Sequence, residues 1–173
     1  MTVVLGERRR FAAEVGEGGQ ALRRVDLWIA NEHLTCDDNM AYVPQFRLAV
    51  RNTVDRLRSA TEFRPAVAEP SPQAAHRRFV LAAQDDDAST ASYEVRRRHR
   101  DLDWGPTTDN AIVHLFREGG YLTVTLQFWR PDHLRTRPEH DGEVFLAKMP
   151  GPEFIGILDD LVTLLGDGPR DPS

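Results

Sequence analysis

The segment that most constrains the fold is an amphipathic stretch near the end of the chain. Pro152 suits a first helical turn and Gly166 suits a helix end, so the residues between them are predicted to form a helix. Its apolar stripe comprises Phe154, Leu158, Leu161 and Leu165, widened by Ile155, Ile157, Val162 and Leu164. Burying one Leu or Phe side chain stabilises a fold by about 1.5–3 kcal/mol, so a face this broad must be covered. The helix therefore requires a second layer with an apolar face.

A run of predicted strands in the second half of the chain supplies that layer, and one of them shows a clear alternation of apolar and polar residues. In residues 121–130, the apolar positions Leu122, Val124, Leu126 and Phe128 alternate with Tyr121, Thr123, Thr125, Gln127 and Trp129. This period of two is typical of an antiparallel strand with one face on the core. A tight turn at 118–120 joins this strand to another at 111–117, and residues 143–149 form a further strand.

The first half of the chain predicts three strands and one helix. Residues 8–15 and 21–30 flank a glycine-rich turn and are predicted to form a β-hairpin, onto which residues 33–35 fold back. The helix is indicated by apolar residues at three- and four-residue spacing, namely Val43, Phe46, Val50, Val54 and Leu57. The order of elements in this half is therefore βββ-α.

The middle of the chain completes the predicted architecture. Residues 64–75 contain three prolines and little periodicity, which predicts a flexible connector, and strands are predicted at 77–84 and 91–100. The whole order is βββ-α-βββββ-α, an α+β fold with two helices packed on a mostly antiparallel sheet. A chain of 173 residues suits a single domain over 1–173, which we expect to end in a short disordered tail at 167–173.

The composition argues against binding to nucleic acid or to a membrane, and it indicates a cytoplasmic location. Twenty-seven acidic residues outnumber 22 basic ones, and a chain with a net charge of −5 is poorly suited to neutralise the phosphates of a nucleic acid. The apolar runs are far shorter than the roughly 20 residues that span a bilayer, and residues 1–10 lack the order of a signal peptide. The single cysteine, Cys36, cannot form an internal disulfide. These features predict a cytoplasmic protein with no membrane association.

One sheet face mixes polar and aromatic side chains and is a candidate for ligand binding. It contains His114, and the strand across the tight turn adds the binding candidates Tyr121, Thr125, Gln127 and Trp129. Such a mixture resembles the lining of a small-molecule cleft, in which the catalytic candidates are His114 and, at the rim, Asp103 or Asp109. The alternative is that the first helix covers this face. His114 is then a hydrogen-bonded core residue.

Residues 99–103 contain three candidate metal ligands. If the preceding strand continues, His99, Asp101 and Asp103 fall on one face, and an imidazole with two carboxylates can ligate a divalent transition metal. Trp104 and the Gly-Pro pair after it end the strand at once, so these acids equally fit a solvated loop. We expect no resident metal and no cofactor.

The segment 132–141 also holds two histidines and three acids. Its histidines lack the one-turn spacing of a helical ligand pair, and prolines mark it as a loop, so it is interpreted as a polar connector between strands. Near Cys36, the acidic neighbours Asp37 and Asp38 favour a raised thiol pKa and a scarce thiolate.

A run of arginines gives the predicted strand at 91–100 a local positive charge. Arg96, Arg98 and Arg100 share one face of it, and we name Arg98 and Arg100 as binding candidates for an acidic group. The nearby Trp104 is a further binding candidate. The alternative is that the charges protect an edge strand from aggregation.

The function predicted from these observations is that of a non-enzymatic protein-binding domain, and an immunity or antitoxin-like bacterial protein is its concrete form. The chain contains no Gly-x-Ser-x-Gly nucleophile motif, and its Asp- and Arg-rich loops at 85–87, 101–109 and 132–141 suit a protein partner. One alternative is a small-molecule-binding protein or enzyme that uses the face around His114. A further alternative is a homodimer formed through an open sheet edge.

Overall fold

The computed structural model describes residues 1–19, 21–59, 70–84 and 101–166. Its first sheet contains five antiparallel strands, which are β1 (Val3–Glu7), β2 (Phe11–Gly18), β3 (Leu22–Ile29), β4 (Glu32–His33) and β5 (Met40–Tyr42). The strand order is β1-β2-β3-β4, and β5 also pairs with β3. The predicted hairpin and the strand that folds back onto it are confirmed. β1 and β5 are additional strands that are not predicted from the sequence.

The second sheet has three antiparallel strands in the order β6-β7-β8, which are β6 (Ala111–Glu118), β7 (Tyr121–Phe128) and β8 (Phe145–Pro150). Gly119 and Gly120 form the turn between β6 and β7 with φ values of 55° and 84°, a conformation that favours glycine. His114 lies opposite Thr125, and Ile112 lies opposite Gln127. The predicted pairing of these two strand faces is therefore confirmed.

Four helices accompany the sheets in the described part of the chain: α1 (Val43–Ser59), α2 (Pro72–Gln84), α3 (Pro131–Thr136) and α4 (Gly151–Gly166). Single 3₁₀ turns occupy Pro106–Thr108 and Pro138–His140. None of these helices is long and apolar enough to cross a membrane.

The main hydrophobic core joins both sheets to α1 and α4. The apolar stripe of α4 is buried as predicted, with Leu158 and Leu161 fully inaccessible to solvent. This helix packs on α1 and contacts β1, β2, β7 and β8. All five apolar residues predicted for the first helix are also buried. The α+β class and the antiparallel pairing of strands are therefore confirmed.

Residues 77–84 are helical, so the strand predicted there is wrong. Ser71 caps the N-terminus of α2 by accepting a hydrogen bond from the Ala74 backbone N–H at 3.2 Å, and Pro72 occupies the first turn. Ala75 and Phe79, four residues apart, bury one face of the helix beside Phe116 of β6. The run Arg-Arg-Phe-Val-Leu resembles a strand, but within it only Phe79 is buried against the sheet in this second apolar cluster.

Several other predictions fall partly or wholly outside the described residues. These comprise residues 64–69 of the connector, the acidic loop at 85–87, the strand at 91–100 and the tail at 167–173. Residues 72–75, predicted as connector, form the first turn of α2. The segment 132–141, predicted as a polar connector, contains most of α3 and a 3₁₀ turn.

Candidate partner-binding surface

The mixed sheet face around His114 is covered by α2 rather than by the first helix. His114 is 1% exposed and Thr125 is inaccessible to solvent. His76 of α2 lies over both, because its Nδ1 atom is 2.8 Å from the Thr125 hydroxyl and 3.0 Å from Nδ1 of His114. We call His76 and His114 the sealed histidine pair. A small molecule cannot reach His114 or Thr125 in this structure.

His76, the α2 member of the sealed histidine pair, is uncharged at pH 7. Burial lowers the pKa of His76 to about 4, and the positive charge of Arg77 acts in the same direction. The two rings meet edge to face with their centroids 4.5 Å apart, and Phe79 lies 5.4 Å from the His114 ring. The close approach of the two rings, together with the contact between His76 and the Thr125 hydroxyl, holds α2 on the sheet.

The other residues predicted for this face lie nearer the solvent. Tyr121 at the start of β7 and Trp129 directly after its end are 50% and 49% exposed, whereas Gln127 is half-buried. Arg98 and Arg100, together with the metal candidate His99, lie outside the described residues. Within the described residues, the accessible parts of the predicted face are therefore its two ends.

Asp101, Asp103 and Trp104 come together at a groove beside α1. The groove has a volume of about 320 Å³, and α1 lines it with Ala49, Asn52, Thr53 and Arg56. Asp101 is 5% exposed and forms an ion pair with Arg56, while the Trp104 indole N–H donates to the Thr53 hydroxyl at 3.0 Å. These contacts anchor residues 101–104 on α1.

A different part of the molecule gathers three loops that are distant in sequence. We call it the acidic loop end and define it as residues 36–39, 106–110 and 129–141. The Asn110 side-chain amide donates to Cys36 Sγ at 3.3 Å, and that sulfur is 3.5 Å from Nδ1 of His133. The Trp129 indole N–H donates to the Asp109 carbonyl oxygen at 2.8 Å.

The acidic loop end has a surplus of negative charge. It contains six acids and three arginines. Each arginine pairs with an acid of the same surface, and these pairs are Arg130–Asp109, Arg135–Asp132 and Arg137–Glu139. Asp37, Asp38 and Asp141, all exposed, make up the surplus. The surface thus presents a net negative charge beside the half-exposed indole of Trp129.

Two buried histidines connect this surface to β4. His133 Nε2 is 2.9 Å from His140 Nδ1, and His140 Nε2 is 3.4 Å from a carboxylate oxygen of Glu32. We call His133 and His140 the connected histidine pair. Both rings stack on Phe128, at centroid distances of 4.0 and 5.1 Å. A chain of polar groups therefore runs from Cys36 through two imidazoles to Glu32.

Burial favours the uncharged forms of Cys36 and His133. Burial raises the pKa of the Cys36 thiol to about 11, and the Asp37 carboxylate acts in the same direction, which agrees with the expected scarcity of thiolate. Burial also lowers the pKa of His133 below its usual range. At pH 7 Cys36 is a thiol, so the arrangement is not an activated cysteine nucleophile.

The segment that contains His133 and His140 is predicted as a polar connector, so the burial of these two histidines is not anticipated. A signal does exist, because the prolines at 131 and 138 start two short helical turns that aim one histidine each at Phe128. The role of these two turns becomes clear only from the contact between His133 and Cys36, which lie 97 residues apart in sequence.

No protein-family model matches the chain, and no curated protein resembles it significantly in sequence. Among solved structures, the chain is similar to the crystal structure of CdiI from Burkholderia dolosa AUO158. The match has a TM-score of 0.56 at 12% sequence identity and covers 94% of this chain and 99% of the other. At this level of identity, the similarity establishes a shared fold.

Proposed function

We propose that this protein is a cytoplasmic, bacterial immunity-like protein that binds a partner protein and blocks its activity without catalysing a reaction. The observation that carries the proposal is the similarity to CdiI, an immunity protein of contact-dependent inhibition, across nearly the full length of both chains. The burial of His114 and Thr125 under α2 supports a protein partner over the alternative of a small ligand on that face.

We assign partner binding to the acidic loop end. Its surplus carboxylates favour a partner with a basic surface, such as an enzyme that acts on nucleic acid. Complementary charge raises the rate of encounter, and this contribution weakens as salt screens the charges. The loops that carry the charges are held in place by ion pairs and by the contacts of Cys36 with Asn110 and His133, so the surface is organised before binding.

Trp129 is the apolar anchor of this surface. Its indole N–H is engaged by the Asp109 carbonyl oxygen, so the ring orientation is fixed while half of the side chain faces solvent. Large, rigid aromatic side chains of this kind dominate the binding energy of many protein interfaces.

The test uses the protein encoded next to this chain in its genome. That neighbour is expressed in a bacterial host alone and together with this protein, and growth is measured. We expect the neighbour to inhibit growth and this protein to restore it, with the two purifying as a complex. The proposal is wrong if purified protein neither binds the neighbour nor protects the host, and captures a small molecule from host extract instead.

Charge reversal then locates the interface. Asp141→Arg is expected to slow association and reduce its salt dependence. The matched control is Glu118→Arg, which changes an exposed acid at the end of β6, beside the β6–β7 turn and at the other end of β7. Equal effects of the two variants would show that overall charge, rather than the acidic loop end, guides binding.

Self-association is a separate proposal that one observation favours. Leu22 of β3 and Tyr42 of β5 lie opposite each other and are 50% and 54% exposed, with Met40 nearby at 45%. An exposed apolar group on paired strands suits contact with a second copy of the chain. Light scattering tests self-association, because a monomer at high protein concentration would rule out contact with a second copy.

A further inference from the structure

We propose that Cys36, Asp37 and His133 form a binding site for a divalent transition-metal ion of the zinc class. The site lies in the acidic loop end. It goes beyond the proposed function, because neither partner binding nor protection of a host requires a metal.

The two distances from the Cys36 sulfur to the other donor atoms match those in a tetrahedral zinc site. Ligand atoms about 2.0–2.3 Å from a tetrahedral zinc ion lie about 3.3–3.7 Å from one another. Cys36 Sγ is 3.5 Å from His133 Nδ1 and 3.7 Å from Asp37 Oδ1. All three ligand atoms lie within 4.8 Å of one another. An ion between them reaches all three after small side-chain rotations.

The chemistry of the donors selects the class of ion. A thiolate is a soft ligand, an imidazole suits zinc, and one carboxylate completes a mixed set of three. Calcium and magnesium prefer six or more oxygen ligands, which this cluster does not offer. With three protein ligands, the fourth tetrahedral position is open to water, because Cys36 and Asp37 are both exposed.

The groups behind His133 provide the support that metal-binding histidines usually have. A histidine that binds metal through one nitrogen commonly donates its other N–H to a fixed acceptor. Here His133 Nε2 faces His140 Nδ1 at 2.9 Å, and His140 Nε2 faces Glu32 at 3.4 Å. The chain of imidazole, imidazole and carboxylate can therefore fix the tautomer and orientation of His133.

The hydrogen atoms of this chain can be arranged in two orders. Arg137 Nη2 lies 3.0 Å from His140 Nε2, and if it donates there, His140 donates to His133 and His133 donates to the sulfur. Metal binding requires the reverse order, in which His133 presents a lone pair to the ion and His140 donates to Glu32. The thiol proton of Cys36 is released to solvent, and Arg137, 53% exposed, can move aside.

The experiment titrates Co²⁺ into the tag-free, full-length protein after treatment with a chelator. We expect one ion per chain, with the visible absorption of tetrahedral Co²⁺ and a near-ultraviolet thiolate-to-metal charge-transfer band, both removed by added Zn²⁺. Zn²⁺ should also raise the melting temperature, because it binds the folded chain.

The variants replace ligand residues that are exposed, so that loss of folding does not obscure the loss of metal binding. Cys36→Ser should abolish the charge-transfer band, and Asp37→Asn should weaken binding by about tenfold or more. The matched control is Asp38→Asn, an exposed neighbour of Asp37 that should bind as the wild type does. Glu32→Gln, which touches no metal, should weaken binding by about 10- to 100-fold through the orientation of His133.

Three outcomes would overturn the proposal. The first is a lack of stoichiometric binding at micromolar Co²⁺ or Zn²⁺. The second is binding without a charge-transfer band, which would exclude Cys36 as a ligand. The third is equal weakening by Asp37→Asn and Asp38→Asn, which would indicate a general attraction of cations to acidic loops.

Discussion

The sealed and connected histidine pairs have nearly equal internal distances but different surroundings. The Nδ1 atoms of His76 and His114 are 3.0 Å apart, and His133 Nε2 is 2.9 Å from His140 Nδ1. All four side chains are at most 7% exposed. Burial lowers the pKa of His76 and His133 alike. Burial and proximity therefore do not by themselves separate a structural pair from a functional one.

The difference lies in what each pair contacts at its ends. The sealed pair meets the Thr125 hydroxyl and the ring of Phe79 under α2. The connected pair meets Cys36 at one end and Glu32 at the other, and Cys36 is exposed. The sealed pair has a fixed set of partners, whereas the connected pair leads to a surface where an ion or a partner can bind.

Truncating the sealed pair should have the largest effect on stability. His76→Ala removes a fully buried ring and leaves the Thr125 hydroxyl without its imidazole partner, so we expect a loss of about 3 kcal/mol in the free energy of unfolding. Urea denaturation at pH 7 measures it. A loss below about 1 kcal/mol would mean that the pair does not hold α2 on the sheet.

The pH dependence of stability provides a second test of the sealed histidine pair. The pKa of His76 is about 4 in the folded chain, whereas a solvated histidine in the unfolded chain has a pKa of 6.5, so protonation favours the unfolded chain. Its contribution is fully present above pH 6.5 and is lost as the pH falls from 6.5 to 4. Between pH 7 and pH 5 this amounts to about 2 kcal/mol.

Denaturation curves at the two pH values, compared with those of His76→Leu, isolate this effect. The variant should lose about 2 kcal/mol less than the wild type over this range, because its side chain does not titrate. Identical pH profiles for the two proteins would contradict the assignment of His76 as a buried neutral base.

Elements with strong local periodicity are predictable from this sequence. The stripes of α1 and α4 and the alternation along β7 each repeat over several residues, and the structure buries the predicted side chains. α2 escapes prediction because it uses only Ala75 and Phe79 as regularly spaced apolar contacts, while Leu81 is 65% exposed. With so short an apolar stripe, helical and extended patterns are hard to distinguish.

The candidate site is much less predictable than the fold. Cys36 contacts Asn110 and His133, which lie 74 and 97 residues away in sequence. No periodic pattern links residues at such separations, because tertiary packing alone brings them together. Local composition indicates the acidic loops, and the alternation along β7 points to Trp129 as a binding residue. The connection between Cys36 and the two histidines emerges only from the three-dimensional structure.

The two half-exposed aromatic residues of the β7 segment provide a matched pair for the partner-binding proposal. Trp129 belongs to the acidic loop end, whereas Tyr121 lies at the opposite end beside the β6–β7 turn. We expect Trp129→Ala to weaken partner binding at least about tenfold, or 1.4 kcal/mol, and Tyr121→Ala to change it less than about twofold. Calorimetric titration measures both. If Tyr121→Ala weakened binding more than Trp129→Ala, the interface would lie near the β6–β7 turn instead.

The smallest effect is expected at the surface end of the connected pair. Serine in place of Cys36 keeps a group that can bond with Asn110 and His133, and the side chain lies on the exposed side of the cluster. Cys36→Ser should therefore change the free energy of unfolding of the metal-free protein by less than about 0.5 kcal/mol. The urea denaturation used for His76→Ala provides the comparison. A loss above about 1.5 kcal/mol would place Cys36 among the structural contacts, and the connected pair would then resemble the sealed pair in role as well as in geometry.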